Sequence, residues 1–348
     1  MDASPPQLEF SQRDRVLVVA PHPDDEVLAT GGLIQCVLAA GAALRVLVAT
    51  DGDNNPWPQR WAEKRWHVDV KARRRWGERR RTEAAAALAA LGVAEQDVCF
   101  LGWPDQGTTA LLLKDAEAET HLAGEIAAFR PTRIAAPVLD DTHPDHSGLR
   151  VLLELAQARV SGLDCQWLGF RVHGLKSDLL ASPLALSETQ RIVKCDAILE
   201  HRSQMILSRR RMLDLAMREE VFRIESTRDM ESRRDLQWVM PMPGLRRFWT
   251  RHVLALVARI ENEVVRITRP LPRSGRSLEL ATSLRDGQRV TLHVKRVADR
   301  LEIGLSSDTP MQQAYAKIER LGERVFIHDQ HGWMDVLAAT AAEDAQAG

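Results

Sequence analysis

Two short segments carry residue types that can do chemistry together. In VLVVAPHPDDEVLATGG, residues 16 to 32, His22 is followed by Asp24, Asp25 and Glu26 just where an apolar run ends. Adjacent carboxylates repel and raise each other's pKa unless something positive sits among them, and a bound cation is the simplest remedy. A second segment, DDTHPDH at 140 to 146, sets His143 and His146 around another carboxylate. Imidazole and carboxylate form a borderline donor set suited to zinc, or to iron or manganese, whereas calcium and magnesium prefer oxygen alone. A catalytic zinc takes three protein ligands and keeps one position for water, so two segments can supply the set with groups left over. The surplus matches what a metal hydrolase also needs, a carboxylate to take a proton from water and a donor for the oxyanion. Either motif alone is equally well read as a turn or a helix cap. The i, i+3 spacing of His143 and His146 would let both ligate from one helix, but Pro144 disfavours the helical region for His143 and starts the helix itself. The two rings should therefore point differently.

The elements that must position these groups are legible as alternating runs. RVLVVA (15 to 20), ALRVLVAT (43 to 50), DVCFLG (97 to 102) and RIAAPVL (133 to 139) read as strands, with helix-forming stretches at 27 to 40, 79 to 91, 114 to 129 and 146 to 158. Continuous apolar strands separated by helices predict an α/β fold, a Rossmann-like layered domain around a mostly parallel sheet buried on both faces. In such a sheet the site lies beyond the carboxyl ends of the strands. Residues 21 to 26, 50 to 55, 102 to 107 and 140 to 146 each follow a strand, so all four should meet at one edge.

The chain has 348 residues, 45% of them hydrophobic and 27% charged, and a formal net charge of −1. That balance excludes a generally nucleic-acid-coating protein, and no nucleic-acid partner is expected. Cys36, Cys99, Cys165 and Cys195 are widely spaced, without a CxxC pair, and read as reduced thiols. No signal-like segment and no eighteen-residue apolar run is found, so a cytoplasmic protein is expected. Past Ser187 come long charged helical patterns, SETQRIVKCDAILEHRSQ and RRRMLDLAMREEVFRI. From about residue 270 short strands follow (SLELATSL, RVTLHVKRV, RLEIGLSS), then a helix TPMQQAYAKIERLGE, a strand RVFIHD and a short helical tail. The expected organisation is a main domain over 1 to 245, a linker helix over 246 to 269 and a small α+β appendage over 270 to 348.

The ordered blocks PHPDDEVLATGG, ATDGD, RRTEAAAALAALGV, LGWPDQG and DDTHPDH, followed by KCDAILEHRSQ, resemble the LmbE-like or PIG-L family of zinc-dependent N-deacetylases over about residues 15 to 225. The resemblance implies that His22, Asp25 and His146 bind one zinc ion, with Fe2+ or another divalent transition metal able to replace it. It implies that Asp24 is general base and then acid, and that His143 polarises the acyl oxygen. It places Arg80, Glu83 and Asp105 among the substrate-binding residues. The implied substrate is an N-acetylated amino sugar of the N-acetylglucosamine type, whose conjugate can carry a lipid or phosphate. A zinc amidohydrolase for a non-sugar amide and a non-catalytic carbohydrate-binding protein are the alternatives.

Residues 57 to 81 concentrate Trp57, Trp61, Trp66 and Trp76 among arginines and lysines. They read as an inserted loop or helix with packed tryptophans, as a substrate lid whose indoles stack on sugar, or, as the last alternative, as a nucleic-acid contact. PGLRRFWTRHVLALVARI (243 to 260) reads as the linker helix, with membrane-surface docking the alternative. His67, His121, His173 and His252 lack partner spacing and are expected to be structural or surface residues.

Overall fold

A computed structural model describes residues 8–114, 116–172, 181–225, 231–242, 252–321 and 328–347. They form two compact units. The first takes in the chain up to Thr109 with Ala118–Val138 and Leu152–Thr227; the second takes in Ala110–Glu117, Leu139–Val151 and Arg228–Gly348.

The first unit is built on strands β1 (Arg15–Ala20), β2 (Ala43–Thr50), β3 (Val98–Trp103), β4 (Arg133–Pro137), β5 (Gln166–Phe170), β6 (Ala181–Leu184) and β7 (Glu220–Glu225). Their order is β3-β2-β1-β4-β5-β7-β6. β1 to β5 pair in parallel, and β7 runs antiparallel to both β5 and β6. Val16 to Ala20 have no exposure, as expected of a central strand covered on both faces. The chain steps from β1 outward to β2 and β3 and then returns to β4 on the other side. The topological switch point therefore lies between β1 and β4, where an open α/β sheet makes its binding crevice.

The helices of the chain's first two-thirds are α1 (Asp25–Ala39), α2 (Pro56–Glu63), α3 (Val70–Ala90), α4 (Thr108–Lys114), α5 (Glu117–Phe129), α6 (Pro144–Gln157), α7 (Glu188–Leu199) and α8 (Arg202–Ala216). In α1 the pair Gly31-Gly32 admits close neighbours. A Cβ on Gly31 would meet Lys194 Cγ at 3.1 Å, and one on Gly32 would meet Leu186 Cδ1 at 2.5 Å. Through that gap Lys194 reaches Glu220 at 2.6 Å, both side chains only 1% exposed. Glu220 accepts from the Gly32 and Leu33 N–H groups at 2.6 and 2.9 Å, while Lys194 donates to the Leu28 carbonyl at 3.0 Å. A buried charge pair thus pins the middle of α1 to α7 and β7, each charge satisfied by backbone as well as by its partner.

Several expected boundaries move. The helix expected over 114 to 129 starts at Glu117 as α5, and a separate short helix, α4, precedes it. The run expected as helix to residue 224 ends at Ala216, because EVFRIE is taken up by β7.

The second unit carries β8 (Arg233–Pro241), β9 (His252–Ile260), β10 (Glu263–Pro270), β11 (Ser277–Ser283), β12 (Arg289–Val297), β13 (Arg300–Arg320), β14 (Met334–Asp335) and α9 (Val336–Ala347). The sheet has the order β10-β9-β13-β12-β11, with β8 and β14 also on β13, and every pairing is antiparallel. Its core includes Leu236, Trp238, Leu256, Leu292, Ile303, Ala316 and Leu337. Two expectations fail here. The linker helix is absent over its described part, where 252 to 260 is β9, a buried strand with no surface face for a membrane. The helix expected at 309 to 323 is the far half of β13, whose Met311 and Ala314 to Ala316 are buried. Pairing with β9 overrides the helix-forming composition of those residues. The strand expected at 324 to 329 lies outside the described residues up to 327, as does His173, and 328 and 329 are irregular. The helical tail is α9.

Candidate active site

β1 and β4 leave the sheet at the same edge, one into Pro21–Asp24 and the other toward residues 139 to 146. At the first exit Thr50 donates its N–H to the Pro21 carbonyl at 2.9 Å, tying the turn to β2. His22 Nδ1 lies 3.0 Å from Asp25 Oδ2, which also accepts the His22 N–H at 3.1 Å. The other ring nitrogen of His22 is 3.3 Å from Asp105 Oδ1, so the loop after β3 reaches the same imidazole. Asp105, expected to meet sugar hydroxyls, instead faces His22, and its second oxygen accepts the Asn54 N–H at 2.9 Å. Burial works against ionisation of Asp105, but the hydrogen bond and charge of His22, with Arg80 behind, hold its carboxyl at about 2.

Asp24 stands at φ 129°, ψ −30°, a left-handed backbone that a residue with a Cβ seldom adopts. Three contacts hold it. Its N–H donates to Glu26 Oε2 at 2.8 Å, Arg80 meets its carboxylate at 3.1 Å, and Arg80 also donates to the Pro23 carbonyl. Arg80, 5% exposed, sends its other terminal nitrogen to the Gly52 carbonyl at 2.7 Å. Gly52 has φ +59°, and a Cβ there would lie 1.9 Å from Arg80 Nη1, so glycine is required twice over. Burial pushes the Asp24 carboxyl up to about 6, against the pull of Arg80 and with the help of Asp25. Arg80 came from the sequence as a substrate residue; its described contacts are all with the Asp24 turn and its neighbour strand loop.

Glu83 is likewise spent on the protein. Both its oxygens accept the Ser203 N–H at 3.0 Å, at the start of α8, and one also accepts from Arg79 at 2.9 Å. Just before Ser203, His201 sits 3.0 Å from Glu26, neither side chain exposed. Burial would lower the His201 pKa, but the charge and hydrogen bond of Glu26 outweigh it and hold the imidazole above its ordinary value. Sequence reading missed this pair as a site feature. Its only signal was the third acidic residue of the first motif and the histidine of the HRSQ block.

At the second exit α6 begins at Pro144, as expected. Asp141, fully buried, accepts the His143 N–H on one oxygen at 2.8 Å and faces His146 Nδ1 with the other at 3.1 Å. A carboxylate behind Nδ1 fixes the tautomer and presents Nε2, the second-sphere arrangement of metal-ligating histidines. His143 has the opposite polarity: its Nδ1 accepts the Asp145 N–H at 3.2 Å, so its proton is on Nε2 and that nitrogen is a donor. The two rings are 4.6 Å apart and tilted by 36°. Asp141 was also missed, although it stands within the motif that was read.

In the Trp/Arg segment only Trp76 is packed. Trp57, Trp61 and Trp66 are 60%, 70% and 80% exposed, on and just after α2, with Arg60 within 5.1 and 5.5 Å of the Trp57 and Trp66 rings. Among the described residues no helix is long and apolar enough to cross a membrane.

Comparison with known proteins finds similarity over this part of the chain. Residues 17–156 match the PIG-L family model, described as GlcNAc-PI de-N-acetylase. A Mycobacterium avium 1D-myo-inositol 2-acetamido-2-deoxy-alpha-D-glucopyranoside deacetylase is 34% identical over 153 residues, 39% of this chain and 49% of the relative. The chain thus spans about half the length of the curated relatives it matches. Among solved structures, the N,N'-diacetylchitobiose deacetylase of Pyrococcus horikoshii is 22% identical with a TM-score of 0.48, covering 61% of this chain and 84% of that one. A deacetylase of the teicoplanin biosynthetic pathway is 21% identical with a TM-score of 0.49, covering 62% and 99%. Residues 17–156, which carry the HPDD and HPDH motifs after adjacent parallel strands, are thus similar to the PIG-L family model.

Proposed function

We propose that this protein hydrolyses the N-acetyl group of an amino sugar of the N-acetylglucosamine type, using a divalent transition metal held by His22, Asp25 and His146. The donor set fits such an ion: two imidazoles and a carboxylate are borderline ligands, and the Asp141 carboxylate behind His146 Nδ1 is the support a ligating imidazole needs. When bound, zinc would lower the pKa of water to about 7 and polarise a carbonyl.

The chain's own groups then have distinct tasks. Asp24 takes the proton from the attacking water as its oxygen bonds to the acetyl carbon. His143 donates from Nε2 to the acyl oxygen as negative charge develops there. The carbon–nitrogen bond breaks as Asp24 returns its proton to the leaving amine, giving acetate and the free amino sugar. Arg80 keeps the Asp24 carboxylate aimed, Asp105 steadies His22, and Glu83 acts through α8 rather than on the sugar.

The observation that carries this reading is the setting of Asp24: a largely buried carboxylate in a left-handed turn, clamped by Arg80, in the same HPDD turn as His22 and Asp25. The experiment is free-amine release from a panel of N-acetylglucosamine conjugates, with and without chelator, by the protein and by D24N. Release by the protein, lost with chelator and in D24N, is expected. Release from simple acetamides but no sugar would replace the substrate class, and sugar binding without release would leave a binding protein.

A further inference from the structure

We propose that His328, held beside His143 by the segment 328 to 333, makes a substrate contact; this rests on the deacetylase reading above. The segment is clamped to the loop that carries His143. Asp329 donates its N–H to the Thr142 carbonyl at 2.8 Å, and Trp333 donates to the Leu139 carbonyl at 3.0 Å. Gly332 lies so close that a Cβ would stand 2.5 Å from the Asp141 carbonyl oxygen and 2.6 Å from the Asp140 carbonyl carbon. From the other side the Asp329 carboxylate is tied at 2.7 Å to Lys317, a fully buried ammonium on β13 that also meets Glu319 at 3.0 Å. Trp333 is 2% exposed. The backbone that follows position 328 is thus fixed by buried groups, while His328 itself is exposed.

Its ring stands edge-on to His143, with centroids 5.7 Å apart and planes at 84°, and its Nδ1 is 3.4 Å from Thr142 Oγ1. A carbonyl oxygen held by His143 sits about 3 Å from that ring's nitrogen. A hydroxyl or amide elsewhere on the same small substrate then comes within reach of His328. Imidazole both donates and accepts, which suits the neutral hydroxyls and amide of an amino sugar. The residue lies outside the segment 17–156 that matches the family model, so the contact would not be one that the match itself implies.

The test compares zinc-loaded wild type, H328A and H328Q for amine release from N-acetylglucosamine conjugates. It also follows the His328 ring resonance of the zinc-free protein, assigned by its loss in H328A, during titration with N-acetylglucosamine. We expect H328A to raise KM about fivefold with kcat within about twofold and zinc content unchanged, H328Q to recover most of the loss, and the ring resonance to shift with sugar. An H328A enzyme that matches wild type, a ring resonance unmoved at saturating sugar, or H328A losing zinc overturns the inference while leaving the deacetylase reading intact. Wild type that releases no amine overturns both.

Discussion

Asp24 adopts its positive φ only because its surroundings hold it there, a backbone cost of about 1 to 3 kcal/mol. Gly52, Arg80 and Glu26 are the groups that hold it, and each makes a prediction. D24N should keep the turn and the metal while kcat falls by about 10² to 10⁴, and H146A should lose metal and activity together; elemental analysis beside turnover separates the two. G52A should displace Arg80 and lower kcat with metal content unchanged, since the added Cβ falls on the guanidinium. The Glu26–His201 pair has a signature in stability. The folded-state pKa of His201 is raised, so its contribution is fully present below the unfolded value of about 6.5 and is lost as pH rises through the higher folded value. The Tm difference between wild type and E26Q should therefore shrink as pH rises above about 6.5; a difference constant between pH 5 and pH 9 would exclude a charged His201. The two strand exits that carry HPDD and HPDH, and the start of α6 at Pro144, were legible from residue type and spacing. What was not legible were partners far away in sequence: 175 residues separate Glu26 from His201. Equally illegible were the contacts of Glu83 with Ser203 and of Asp105 with His22, two carboxylates expected among the substrate-binding residues.

Helix α1 shows how an element is positioned by something other than its own apolar face. The Lys194–Glu220 pair reaches backbone groups of Leu28, Gly32 and Leu33, and Gly31-Gly32 leave the room for it. K194A should cost about 3 to 5 kcal/mol, because it strands a buried carboxylate; K194A with E220Q should recover part of that in denaturant unfolding. Strand identity was legible wherever both faces are covered, since β1 and β2 are continuous apolar runs. It failed in the second sheet for two physical reasons. VLALVARI is apolar throughout, and periodicity cannot tell such a run from a buried helix. The far half of β13 is rich in Gln, Ala, Lys and Glu, and only its pairing with β9, invisible in local sequence, makes it a strand.

At the scale of the whole molecule, the segment 17–156 that matches the PIG-L model carries both HPDD and HPDH, and the described strands of the antiparallel sheet follow it in sequence. The tryptophans divide along a different line. Trp76, Trp167, Trp238 and Trp333 are buried, whereas Trp57, Trp61 and Trp66 stand in water within one short stretch. The consequence is optical. Excited at the indole band, the described tryptophans should emit as two populations, a blue-shifted core and a red-shifted fraction from Trp57, Trp61 and Trp66 that iodide extinguishes. A sugar laid over α2 would protect that fraction from the quencher and leave the core emission unmoved; a sugar bound elsewhere would leave the quenching curve as it was.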